Sequence, residues 1–214
     1  MSKSIKFYPN HPDNMHCSQA VFRAVFKYFF DEELSWEKID EITKTIPGRG
    51  SWTMAVYIEL AKRGIEIINF EPFDYQRFEK EGIEYLKSNF SEETVKWYLE
   101  HSNLMSVQNL VPEFLNLVHH ETRKATIEDI DRLLSDGYIL GAEINSRVLN
   151  KKPGFSLHYV LIQKGTGNEY TINDPGGGSA PALENRIVSK IEFMEALGKD
   201  GSNGEVTAMR RKVS

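Results

Sequence analysis

His158 to Gly176 reads HYVLIQKGTGNEYTINDPG. Two runs rich in β-branched and aromatic residues, HYVLIQ and EYTIND, flank a glycine-containing junction. This is the pattern of two antiparallel strands joined by a hairpin. With the turn at Gly165 to Asn168, the start of the first strand lies beside the end of the second. His158 opens one strand and Asp174 closes the other, so register alone brings an imidazole and a carboxylate to the same end of a sheet. Side chains alternate along a strand, so only one of Asn173 and Asp174 can face His158. Asp174 before Pro175 and Gly176 is also a good turn residue in its own right.

From this hairpin outward the chain divides in two. YILGAEINSRVL, just upstream, is another apolar stretch bounded by turn residues, so the final third is expected to form a small antiparallel sheet. The first two thirds are mainly helical. Ser18 to Phe30 places Ala20, Val21, Ala24, Val25, Tyr28 and Phe29 at helical spacing, with Asn14 as the expected cap. Ser35 is the expected cap of a short second helix. The turn PGRGSW precedes a helix starting at Ser51 and stopped by Gly64. IEIINF suits a short strand. Helical signals over 74–100 break near Gly82 and Asn89, with Ser91 as a cap. Pro112 must sit in a first turn or break its helix. Thr126, Asp129 and Gly137 mark the start and stop of another helix. Helices followed by strands argue for an α+β fold rather than a wound α/β sheet. The expectation is a single domain, with a helical part over about 14–136 and a sheet part over about 137–214.

Composition narrows the function. The 214 residues are 40% hydrophobic, enough for one sizeable core. A net charge of −5, with no dominant basic patch, argues against a nucleic-acid partner. No run approaches the roughly 18 apolar residues of a membrane span, and the N-terminus turns polar before any stretch of signal-peptide length. One cysteine cannot form an internal disulfide. A cytoplasmic protein is expected.

That cysteine, Cys17, lies in DNMHCSQAVF at the predicted start of an apolar helix. Open amides and the helix dipole there favour a thiolate, the nucleophilic form. A thiol needs a base, and the base an orienting group. His158 and Asp174 supply both. Adjacent His16 is excluded as the base, because neighbouring helical residues do not face one another. His119, His120 and Glu121 hint at a metal site, but adjacent histidines on a helix diverge, so no metal is expected. PGGGSAP lacks the strand and Lys-Ser/Thr context of a phosphate loop and reads as a loop at the rim of the site. The large aromatics read mostly as core, with Trp52 in the turn most apt to approach a cleft.

HCSQAVF, HYVLI and INDPGGG, in that order, resemble the C39-like branch of the papain-like cysteine peptidases, over most of residues 5–198. The resemblance implies a Cys17-His158-Asp174 triad on a helical part packed against a small antiparallel sheet. It implies cleavage of a peptide or related amide through a thioester, with no cofactor. In the family a glutamine that donates to the oxyanion usually sits six positions before the cysteine. Here His11 holds that position and Asn10 and Asn14 are nearby, so His11 and Asn14 are the candidate oxyanion donors. The glycine that often follows the cysteine is Ser18 here. Two further readings use the same parts: an inactive papain-like domain that binds a peptide or protein partner, and an acyltransferase in which an amine resolves the thioester.

Overall fold

The computed structural model describes residues 4–177, 180–197 and 203–212. Helix α1 (Cys17–Phe30) buries Ala20, Val21, Phe22, Ala24, Val25, Phe26 and Phe29, and ends where Asp31 turns left-handed at φ 59°. Its N-cap is His16, whose side chain makes no capping bond. Asn14 stands outside the helix at φ 63°, a conformation that asparagine tolerates better than most residues. Helix α2 (Trp36–Thr43) is capped by Ser35 as expected. Helix α3 (Met54–Lys62) begins three residues after Ser51, with Thr53 as its cap. Strand β1 (Ile65–Phe70) follows.

Short helices then run α4 (Tyr75–Glu81), α5 (Ile83–Asn89), α6 (Glu92–His101), α7 (Leu104–Val107) and α8 (Val111–Leu117). Pro112 sits in the first turn of α8, where its missing N–H leaves no bond unmade. Strand β2 (His119–Glu121) corrects the helical reading of the paired histidines. They diverge all the same: the His120 ring turns inward to Asn69 and the Phe73 carbonyl, while His119 stays exposed. Helix α9 (Ile127–Ser135) starts with the full Thr126/Asp129 capping box. The remaining elements are β3 (Ile139–Asn145), α10 (Ser146–Leu149), β4 (Leu157–Thr166), β5 (Glu169–Asp174), β6 (Leu183–Ser189), α11 (Lys190–Leu197) and β7 (Val206–Arg211).

All seven strands form one sheet in the order β2-β1-β7-β3-β4-β5-β6. Every neighbouring pair is antiparallel except β1 and β2. The sheet is wider than the final third of the chain, because β1 and β2 come from the helical part and β7 joins them to β3. The β4–β5 hairpin forms as expected, but its turn is only Gly167 and Asn168, since Gly165 and Thr166 still pair with β5, and its register shifts between Ile162 and Lys164. Alternation along β4 feeds two cores. Tyr159 and Leu161 pack among the side chains of α1 and α3, while Val160 and Ile162 pack with Ile130, Leu133, Phe193 and Leu197 of α9 and α11. Helices therefore cover both faces of the sheet.

Gly141 of β3 allows one close approach. A Cβ there would lie 2.2 Å from the Tyr159 hydroxyl, which is itself hydrogen-bonded to the Tyr57 hydroxyl. Gly141→Ala must displace a fully packed ring, and overpacking of this kind costs about 1–3 kcal/mol. Urea unfolding should show that loss; an unchanged midpoint would mean that Tyr159 can swing aside.

Candidate functional site

Cys17 is the first residue of α1, so its sulfur stands where the helix's first N–H groups have no partner within the helix. The thiol is partly buried. It faces the His158 ring closely enough to interact with it, and the backbone amides of Ser18 and Tyr159 also act on the sulfur. His158 is 7% exposed and Asp174 2%. His158 Nε2 meets Asp174 Oδ1 at 2.7 Å, which leaves Nδ1 for the sulfur.

The electrostatics follow from these contacts. Burial pushes the Cys17 thiol up, but the His158 ring and the two amides outweigh it, and the net shift is downward. Burial opposes the charged form of His158, yet the hydrogen bonds to Asp174 and Cys17 and their charges raise it to about 10. Asp174 is held below its ordinary value. Burial acts against this, and His158, the Gly176 N–H and Arg186 overcome it. Together they favour a thiolate beside an imidazolium, steadied by a buried carboxylate.

The backbone around Asp174 is built for this. The β5–β6 ladder slips between Ile172 and Asp174, and an irregularity of that kind re-aims the side chain beside it. Asp174 Oδ1 also accepts from the Gly176 N–H at 3.0 Å. Gly176 has φ +74°, and a Cβ there would lie 2.5 Å from the Ala182 nitrogen, so the turn needs glycine. Of the rim loop read from PGGGSAP, Gly178 and Ser179 lie outside the described residues.

Two residues support the cluster in ways that the sequence pattern does not reveal. Arg186 of β6 donates to Asp174 Oδ2 at 2.8 Å and to the Leu149 carbonyl at 2.6 Å. It lies in the polar run LENRIVS, and only the β5–β6 register brings it to Asp174. Asn10 ties the two halves of the site together. Its side-chain oxygen accepts from the His16 N–H at 3.0 Å. Its side-chain nitrogen donates to the Gly176 carbonyl at 2.9 Å, and its backbone N–H donates to the Pro175 carbonyl at 2.9 Å. It clamps the start of α1 to the turn that follows Asp174. Asn10→Ala removes two of these three bonds and should lower stability by about 1–2 kcal/mol, read by urea unfolding; a loss near zero would mean that solvent replaces the clamp.

The two oxyanion candidates stand apart. Asn14 lines the cleft beside Cys17. His11 packs against His16 and Trp36, and its Nδ1 is 3.2 Å from Asp13. His11, Asp13 and His16 form the one group of three, among the described residues, with ligand atoms within 4.8 Å of one another. The His16 nitrogens are already bonded to Asp13 and Asp40, and the group does not line the cleft.

The cleft itself has a volume of about 440 Å³. Cys17, Ser18, His158, Tyr159, Trp52, Trp97, Tyr98 and His101 are among the residues that line it. Trp52 thus reaches the cleft, as its turn suggested.

No protein-family model matches the sequence, and neither does any curated protein. Among solved structures, the chain is similar to the peptidase domain of Streptococcus ComA, a bi-functional ABC transporter involved in a quorum sensing pathway. The TM-score is 0.50 over 98% of this chain and 100% of that one, at 14% sequence identity. The likeness is one of fold. The chain has the α+β architecture of a C39-like, papain-like peptidase domain. Among the described residues, no helix is long and apolar enough to cross a membrane.

Proposed function

We propose that the protein is a cysteine peptidase or amide hydrolase in which Cys17 is the nucleophile, His158 the acid–base and Asp174 the orienting group. The observation that carries this is the contact chain from the thiol at the start of α1, through one imidazole, to a carboxylate at 2.7 Å. The thiolate attacks the carbonyl carbon of a peptide or related amide. His158, already protonated, gives its proton to the leaving amine, and a thioester remains. His158 then takes a proton from water, which attacks the thioester and frees Cys17. Asn14, which lines the cleft, and the Cys17 N–H serve as oxyanion donors. The fold likeness supports a peptide as substrate. No cofactor takes part.

The test is to incubate the protein with a tryptic peptide library and read new termini by mass spectrometry. Wild type should generate them and Cys17→Ala should not. A library left intact by both proteins overturns hydrolysis.

A further inference from the structure

The segment that leads into α1 carries a second cluster, which the reaction above does not use. It reads HPDNMH, His11 to His16. Pro12 is second in a turn closed by the Asn14 N–H on the His11 carbonyl at 2.9 Å, a place that suits its fixed φ. The turn sets His11 and Asp13 beside His16, the N-cap of α1. The Asp13 carboxylate stands between the two rings. One of its oxygens is 2.9 Å from His16 Nδ1 and the other 3.2 Å from His11 Nδ1. A donor atom from each of the three residues lies within 4.8 Å of the other two.

These spacings approach those of a metal centre. Zinc binds imidazole nitrogen and carboxylate oxygen at roughly 2.0–2.2 Å, so neighbouring ligands of a tetrahedral ion stand about 3.3–3.6 Å apart. Two edges of such a tetrahedron are nearly in place. The third closes as the two rings, with centroids 5.0 Å apart, swing together. The donors are already held. Asp13 Oδ1 accepts from the Met15 N–H at 2.9 Å, and the His16 N–H donates to Asn10 at 3.0 Å. Trp36 lies edge-on against both rings. The Asp13 N–H approaches His11 Nδ1 at 3.5 Å, too long to hold that ring against a metal bond.

His16 turns its other nitrogen, Nε2, to Asp40 Oδ2 at 3.2 Å. A carboxylate behind a ligating imidazole is the usual outer partner of a metal site, because it fixes the ring and raises its basicity. A neutral ring has one N–H and cannot donate to Asp13 and Asp40 together. A second proton resolves this, and so does an ion on Nδ1, which takes the Asp13 side and leaves the N–H on Nε2 for Asp40. The positive end of α1 opposes a cation here, and the Asp13 carboxylate offsets it. Two nitrogens and one oxygen suit zinc and its transition-metal neighbours, whereas calcium and magnesium take oxygen.

We propose that His11, Asp13 and His16 bind one divalent ion of the zinc class at the entrance to α1, outside the cleft, with solvent in the open position. The ion takes no part in the peptidase reaction. It pins the turn that leads into Cys17. The converging donors mark the site, and their kind sets the metal.

The test uses the full chain carrying Cys17→Ala, which removes the thiol as a competing ligand and makes the result independent of catalysis. Zinc is titrated against a chromophoric chelator. One equivalent should bind with a micromolar or lower Kd. Adding His11→Ala or Asp13→Asn, both at half-exposed positions, should weaken binding by at least about 100-fold, a loss that even an outer partner can cause. Circular dichroism checks that each variant folds. The imidazole nitrogens of His11 and His16 should also shift in NMR spectra when zinc is added, a readout that needs neither of these two substitutions. No binding at micromolar zinc, affinity that survives either substitution in a folded variant, or imidazole signals that stay in place overturns the proposal. So does binding present in the wild type and lost with Cys17, because the ion then sits in the cleft.

Discussion

His158→Ala should slow turnover by on the order of 10⁴-fold, the scale seen when a triad base loses its function. It should also change the thiol before any substrate is present. In the wild type, the thiolate–imidazolium pair persists from the lowered pKa of Cys17 up to the point where His158 loses its proton, about 10. Iodoacetamide should therefore alkylate Cys17 faster below about pH 8.5 than it does an ordinary thiol. Without the imidazole, the burial of the sulfur is no longer outweighed, and its pKa rises towards or beyond the ordinary thiol value of about 8.5. At about pH 6.5 alkylation should be slower than in the wild type, and it should then climb steadily with pH. A wild-type thiol that follows the ordinary curve, or a variant that matches the wild type, would sink the ion pair.

Asp174→Asn is expected to have the second largest effect. It keeps the shape but removes the charge that steadies the His158 imidazolium and pairs with Arg186. Turnover should drop by roughly 10³–10⁴-fold. Arg186, only 16% exposed along its side chain, is left without its carboxylate, and stability should fall by on the order of 3 kcal/mol. The pH dependence follows from the two shifts. Asp174 has a depressed folded pKa, so its contribution is present above the unfolded value of about 3.9 and is lost as pH falls through the folded one. His158 has a raised folded pKa, so its contribution is full below about 6.5 and is lost as pH rises through about 10. Both act fully between about pH 4 and 6.5, and there the gap between wild type and variant should be widest. Urea midpoints at about pH 5, 7 and 9 would show whether the gap narrows upward as required.

Much of this site was legible because its signals are local. The period-two pattern and the glycine turn of 158–176 set the hairpin, but the register shift between Ile162 and Lys164, which nothing in the sequence announces, decides that Asp174 shares a face with His158. Ser35, Ser91 and Thr126 cap helices by bonds that reach only three residues ahead. Other features depend on partners far along the chain. VHHE has no alternation long enough to announce β2, which forms only because β1 offers an edge. Arg186 is an ordinary charge in a polar strand until the β5–β6 register brings it to Asp174. Glu71, Glu143 and Glu205 line the cleft from three separate segments, and nothing in their spacing joins them. Asn14 misled in a different way: it sits at the helix entrance, but its left-handed backbone turns the chain there, and His16 takes the cap position.

The placement of β7 has a consequence for how the molecule is made. β1 and β2 reach β3 through the sheet only by way of Val206–Arg211, which a ribosome delivers after every other strand. During synthesis the β1–β2 pair and the β3–β6 group must wait as separate patches with exposed ladder edges, and such edges invite wrong pairings. Glu205, just ahead of β7, arrives in the same step, so the nascent chain cannot complete the cleft wall before its sheet is joined.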